Sequence, residues 1–529
     1  METGAWSSAR PEPSANIGAP GNFLSSLDLY QAIGIFFCVV AALAYLFSTP
    51  ASGSNKFPTI NPATGFEIVG KARRQDFMRN ARSYFNKGLD MFPGKPFNIL
   101  ADHGEVTVLP ASWAHDIRNE KNLNFMKSVH EDFHADFSPF KPFSAGTSDD
   151  ALLQSVARKQ LTKYLNQVTK PLSSETKFAL DLTYGAPSEW KEFPLKPTLL
   201  NIVARISSCV FLGDKVCRNE AWLDITTSYT VLAFQAAGEL RTYPKWIRGI
   251  VQLYLPSCRN LLGLIDRGRS IVEAIVQERR LLASQGKYKP THMDAIDWFE
   301  EEAAGRPYDP TLCQLILSTA AIHTTSDLAN QTLINLAQNP DIVKEVRKEV
   351  IEVLKTDGWK KTSLFNMKLL DSILKESQRL SRPPATMMRK ALGDVTLPDG
   401  SILRKGERTM VSTSGMGDPQ TYDDPTKFDP YRFVRLRDQE GMQNHIHLVS
   451  TGPSHLGFGH GKHACPGRFF ASNELKILLC HIIIKYDFKL PEGYTPKSLD
   501  VGPQNNSDPA SRMLFVAREP EIDIDVLEG

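Results

Sequence analysis

Phe458-Gly459-His460-Gly461-Lys462-His463-Ala464-Cys465-Pro466-Gly467 sets one cysteine in a loop of glycines, with an aromatic ring ahead of it and Pro-Gly behind. Arg468-Phe469-Phe470-Ala471-Ser472-Asn473-Glu474-Leu475 follows and reads as a helix start. A thiolate that ligates haem iron has to sit in a tight loop under the macrocycle, and glycines let the backbone come that close. Phe458 can shield the sulfur. Backbone N–H groups at a helix N-terminus stabilise a thiolate, and a cysteinate ligand favours O–O cleavage. The rival reading is a free cysteine in a glycine-rich surface loop, the commoner fate of an isolated cysteine.

Outward from the loop, helical periodicity dominates. Helices are expected over 72–87, 152–169 (stopped by Pro171), 199–210, 220–240, 265–285, 310–338 and 342–356. Short hairpins are expected for 97–100 with 106–109, and for 395–397 with 401–403 around Pro398-Asp399-Gly400. Glu376-Ser377-Gln378-Arg379 puts a carboxylate and a guanidinium three residues apart on one helix face, which alone is usually a surface ion pair. Pro430-Tyr431-Arg432-Phe433 comes about fifty residues later. Ala320-Ala321-Ile322-His323-Thr324-Thr325 lies in the longest expected helix.

The set Phe458, Gly461, Cys465 and Gly467, with Glu376, Arg379 and Arg432 ahead of it, resembles the cytochrome P-450 monooxygenases over roughly residues 55–525. The resemblance implies a mainly α fold with a smaller β portion. It implies haem b with Cys465 as the axial ligand of iron, and a structural triad of Glu376, Arg379 and Arg432 beneath the haem. Thr324 matches the family threonine that assists proton delivery to O2. His323 stands where the family commonly has an acid. Two readings of it remain open: a proton relay, or a packed residue bonded to Asp327 one turn on. Thr324 also has a bland reading, a helix threonine bonded back to a carbonyl. His463 and Arg389 match positions that hold the haem propionates. Arg158 is a third candidate, and a plain surface arginine is its alternative. Leu317, Ala320, Ala385, Thr386 and Met387 fall on segments that border the substrate pocket in the family.

The implied activity is O2-dependent hydroxylation, or another oxidation, of a hydrophobic small molecule. Electrons would come from NADPH through a separate reductase, since the chain has no Rossmann fingerprint or flavin segment. A basic face including Lys462 is the expected docking point. The His323-Thr324-Thr325-Ser326-Asp327 run and the haem loop are similar to fungal microsomal members that oxidise terpenoid-type secondary metabolites. A haem-thiolate isomerase or dehydratase needing no external electrons is the second reading; a non-enzymatic haem sensor or electron carrier is the third.

Composition sets the outer bounds. The 529 residues are 42% hydrophobic and 23% charged, an ordinary globular balance. The net charge of +2 implies no general attraction to nucleic acid. Seven scattered cysteines with no CxxC argue against a disulfide framework or a zinc site. Residues 29–47 carry no charge and are long enough to cross a bilayer, and polar residues precede them where a cleaved signal would be basic. Lys56, Lys71, Arg73 and Arg74 follow, which places the body in the cytosol. The expected order is a lumenal segment (1–28), a single anchor in the endoplasmic reticulum membrane (29–47), a Pro-containing linker (48–70) and a haem-binding catalytic domain (71–529).

Overall fold

The computed structural model describes residues 31, 33–40, 57–62, 70–289, 293–443 and 445–528. It divides into two units, Met1–Ser54 and Asn55–Gly529. In the first, residues 33–40 are helical and Ile33, Ile35, Phe36, Phe37 and Val39 are exposed. The remainder of the expected anchor, and the whole leading segment 1–28, lie outside the described residues. Among those described, one helix is long and apolar enough to span a membrane, Leu195–Leu212, and it is mostly buried in the second unit.

The second unit is built on helices packed round Pro310–Ala337. Asp309 caps that helix by accepting the Leu312 N–H at 3.0 Å, and Pro310 needs no partner at the first position. The helix ends before Asn339-Pro340, because proline cannot continue it. Its next neighbours are Leu195–Leu212, Glu220–Arg241, Pro256–Ser284 and Lys368–Leu380. Pro340–Asp357 buries Val343, Val346, Val350 and Leu354, the i, i+3, i+7, i+11 stripe of a half-buried helix.

A five-stranded sheet flanks the helices. Phe97–Ala101 pairs antiparallel with Gly104–Leu109, which runs parallel to Arg408–Ser412. Ala385–Ala391 and then Leu123–Asn124 complete it, both antiparallel. Part of the expected linker belongs to this body. Ile60 is buried, and the Ile60 and Asn98 amides exchange bonds with the Asn98 and Pro58 carbonyls at 2.9 and 2.8 Å.

Pro171 does not stop its helix. The chain breaks earlier, in a π turn at Val156–Gln160, and Leu165–Thr183 then runs on with Pro171 inside. Burial of Leu165, Val168, Leu172 and Ala179 against Leu195–Leu212 and Arg468–Lys485 outweighs the one lost hydrogen bond.

Glu474 in the Arg468–Lys485 helix is fully buried. One oxygen accepts from the Ser207 hydroxyl at 2.6 Å and the other has no partner. Burial pushes this carboxyl up to about 8, with the Ser207 bond opposing. The folded chain therefore keeps a proton that the unfolded chain releases from about 4.5 upward. The stability this group contributes is complete below that value and lost as pH rises through about 8, at up to about 1.4 kcal/mol per pH unit. Glu474→Gln is expected to remove that slope. Urea midpoints at pH 5 and pH 7.5, compared with those of the parent, measure it; equal slopes would refute the buried neutral acid.

Candidate active site

Two crossed bonds close the cysteine loop. The Cys465 amide donates to the Phe458 carbonyl at 2.9 Å, and the Ala464 amide donates to the Gly461 carbonyl at 2.9 Å. Gly459 and Gly461 have φ of 68° and 75°, a region L side chains rarely adopt. A Cβ on Gly461 would lie 2.5 Å from the Arg118 carbonyl oxygen. Gly461→Ala is expected to cost about 1–2 kcal/mol from the left-handed backbone alone, with the Arg118 clash added. Thermal unfolding and haem content of the purified variant check this, and an unshifted transition would contradict it.

Arg468 secures the loop from behind, donating to the Cys465 carbonyl at 2.9 Å and to the Val449 carbonyl at 3.1 Å. Burial pushes the Cys465 thiol up, while the Gly467 and Arg468 amides and the Arg468 charge pull it down. Nothing lies within 4 Å of where a Gly467 Cβ would stand. Phe458 packs its ring on the main core.

Arg389, Lys462 and Arg158 gather round His463, two residues before the cysteine, with the Glu120 carboxylate acting on Lys462. Burial and the charges of Arg389, Lys462 and Arg158 push His463 down to about 4. Arg389 is buried, which pulls it down to about 10; one of its terminal nitrogens has no partner, and neither does His463 Nε2. Buried polar nitrogens without partners are rare in folded chains. Here they match an anionic group that the amino acids do not supply, and the two propionates of haem fit them. Phe125, which the sequence did not single out, lies between, with Arg389 5.5 Å from its ring and the His463 ring 6.3 Å away. Lys462 is tied down by a 2.6 Å bond to the Glu120 carbonyl.

Glu376, Arg379 and Arg432 are brought together and buried. Both nitrogens of the Arg379 fork reach Glu376 at 2.8 Å, and Arg432 Nε reaches it at 3.1 Å. The isolated pattern suggests an exposed ion pair; the structure shows side-chain exposures of 0, 0 and 4%.

In Pro310–Ala337 the two exposed positions are Ala320 and Thr324, one turn apart in an otherwise covered helix. Such a pair interrupts the cover of the helix on one side. The Thr324 hydroxyl donates to the Ala320 carbonyl at 2.9 Å, which leaves its lone pairs open to a donor. His323 turns the other way. Its Nε2 is 3.0 Å from the Thr227 carbonyl, which can only accept, so that nitrogen carries the proton; burial lowers its pKa and favours the neutral ring. The expected His323–Asp327 bond is not made. Asp327 is held instead by Lys196 at 2.7 Å and by the Ser507 hydroxyl at 2.7 Å.

Of the expected pocket residues, Thr386 is partly open, whereas Leu317, Ala385 and Met387 are buried at 7, 5 and 4% exposure. Ala385 and Met387 follow the alternating burial of their strand, whose pairing register shifts between Thr386 and Arg389, with Met387 at φ 52°. Met387 joins the cluster of Leu109, Ala114, Ile117 and Val411, and Ala385 that of Phe97, Ile99 and Met410.

A half-buried thiol in a glycine loop, an unsatisfied cation cluster and a buried Glu–Arg–Arg brace define a haem-thiolate enzyme. The cytochrome P450 family model matches residues 198–510. The chain is 42% identical over 493 residues to cytochrome P450 monooxygenase hepE of Aspergillus oryzae, covering 91% of this chain and 90% of that one. It is 38% identical over 510 residues to cytochrome P450 monooxygenase adrA of Penicillium rubens, covering 94% and 99%. A retinoic acid-bound cyanobacterial CYP120A1 structure shares the fold with a TM-score of 0.65 at 19% identity, over 88% of this chain and 100% of that one. The chain belongs to the cytochrome P450 family and is a haem monooxygenase.

Proposed function

We propose that this enzyme is anchored in the endoplasmic reticulum membrane by residues 29–47, with its body in the cytosol. It takes electrons from an NADPH-dependent reductase and hydroxylates a hydrophobic, terpenoid-type secondary metabolite. The observation that carries the reading is the Ala320/Thr324 opening in a covered helix. A methyl and a hydroxyl there suit an apolar substrate and a proton path. The exposed apolar side chains of residues 33–40 support the anchor.

Haem, when bound, supplies O2 activation. Cys465 would hold its iron, and Arg389 and Arg158 would hold its carboxylates by charge-assisted bonds, with the neutral His463 ring beside them. Thr386 and Ala320 border the substrate. Thr324 Oγ1, its own proton on the Ala320 carbonyl, accepts a hydrogen bond from water and holds that water on the proton path. His323, fixed to Thr227, holds the helix against Glu220–Arg241 and keeps the proton path on the Thr324 side.

Thr324→Ala is expected to leave folding intact, since the position is exposed and alanine favours helix. Product per NADPH should fall on the order of 10²-fold, the lower range for a lost proton-transfer group, with peroxide made instead. Unchanged coupling would remove Thr324 from the proton path. Substrate class is tested by incubating enzyme, reductase and NADPH with terpenoid scaffolds and reading for a gain of one oxygen in mass. Product formed without NADPH would favour the isomerase reading.

A further inference from the structure

Cys209 and Cys217 are separated by seven residues, a spacing that suggests no joint site. The turn between them changes that. Gly213, at φ 82°, ends the Leu195–Leu212 helix; its amide bonds the Cys209 carbonyl at 3.1 Å, and the Cys217 amide bonds the Gly213 carbonyl at 3.2 Å. The chain folds back on its own helix end and returns Cys217 to Cys209. Glu175, from Leu165–Thr183, closes the third side. One ligand atom from each of Glu175, Cys209 and Cys217 lies within 4.8 Å of the other two.

We propose that these three side chains bind a thiophilic divalent cation of the zinc class. Tetrahedral zinc, with sulfur at about 2.3 Å and oxygen at about 2.1 Å, spaces its ligands roughly 3.5–3.8 Å apart. Each side chain therefore closes by about an ångström or less. Glu175 and Cys217 are buried, and Cys209 is partly open, which leaves a way in and a fourth position for water.

The charges balance in both states. Without metal, Arg218 neutralises Glu175 and the thiols keep their protons. It donates to Oε2 at 2.8 and 3.2 Å but reaches Oε1 only at 3.3 Å, so Oε1 is the freer ligand. On binding, two S–H bonds break, two metal–sulfur bonds form and two protons leave to solvent. Two thiolates and one carboxylate then face the two charges of the metal and the one of Arg218, whose side chain is half exposed and lies 3.9 Å over the Phe178 ring.

The test uses the full-length haem-loaded enzyme in reducing buffer, incubated with zinc chloride and dialysed. Zinc and iron are then measured by mass spectrometry, and the zinc K-edge is read separately from iron. One zinc per haem with two sulfurs near 2.3 Å is expected. Cys209→Ser and Cys217→Ser should each lose it with the carbon-monoxide spectrum intact, which shows the variants are folded. Glu175→Gln should keep the sulfurs and weaken binding at least tenfold. No zinc in the parent, a shell of nitrogen and oxygen only, retention by Cys209→Ser, or a Cys209–Cys217 disulfide that excludes zinc in reducing buffer would each overturn the site.

Discussion

Cys465→Ser is expected to abolish the long-wavelength Soret band of the reduced, carbon-monoxide-treated protein and to reduce turnover to background, while haem stays bound. The two effects separate because different atoms carry them. The loop is shaped by the backbone: the Cys465 amide on the Phe458 carbonyl and Arg468 on the Cys465 carbonyl. A serine keeps both bonds. Arg389, His463 and Arg158, proposed above to hold the propionates, are equally untouched. What is lost is the sulfur. A serine hydroxyl stays protonated at neutral pH, is a harder and weaker ligand, and cannot supply the electron density that thiolate gives to O–O cleavage. Haem content by pyridine haemochrome, beside the carbon-monoxide spectrum, distinguishes a lost ligand from a lost fold. A variant with the parent's spectrum would remove Cys465 from the iron.

The loop was legible because its information is local. Glycines at positive φ and one cysteine in ten residues leave few other uses for the pattern. The helices were legible from apolar spacing, with ends set by proline and by Asp309. What the sequence hid depends on long-range packing. Pro171 has the local signature of a stop, yet the burial around it carries the helix through. Ala385 and Met387 keep the period-two burial of their strand, but the two clusters they join are assembled from segments far apart in the chain. His323 was ambiguous because its partner, the Thr227 carbonyl, lies 96 residues away. Phe125 joins Arg389 and His463 from three separate segments. Cys209 and Cys217 looked unrelated, since only the Gly213 turn brings them together.

Glu376→Ala is expected to be the most destabilising substitution in the chain. Glu376 is fully buried and meets four donors: Arg379 through Nε and Nη2, Arg432 through Nε, and the Asp429 amide. The remaining guanidinium nitrogens are spread over main-chain oxygens: Met416 and Pro425 for Arg379, and Asp423, Asp424 and Lys427 for Arg432. One carboxylate thus fixes a helix to the segment that leads into the cysteine loop, and among the described residues it is the sole counter-charge in contact with two buried cations. Breaking a buried pair from one side costs about 3–5 kcal/mol, because the desolvated charges stay behind. That rivals the whole stability of many domains, roughly 5–15 kcal/mol. Little soluble, haem-loaded protein should be recovered. Arg432→Met is the control, since it removes one cation and leaves the Arg379 fork on Glu376 intact. It should cost less, and the double variant should cost less than the sum of the two singles. Expression, haem content and thermal unfolding across the three variants decide the matter. A soluble Glu376→Ala enzyme within about 1 kcal/mol of the parent, well below the penalty for stranded buried charge, would show that the carboxylate is not what braces the haem loop.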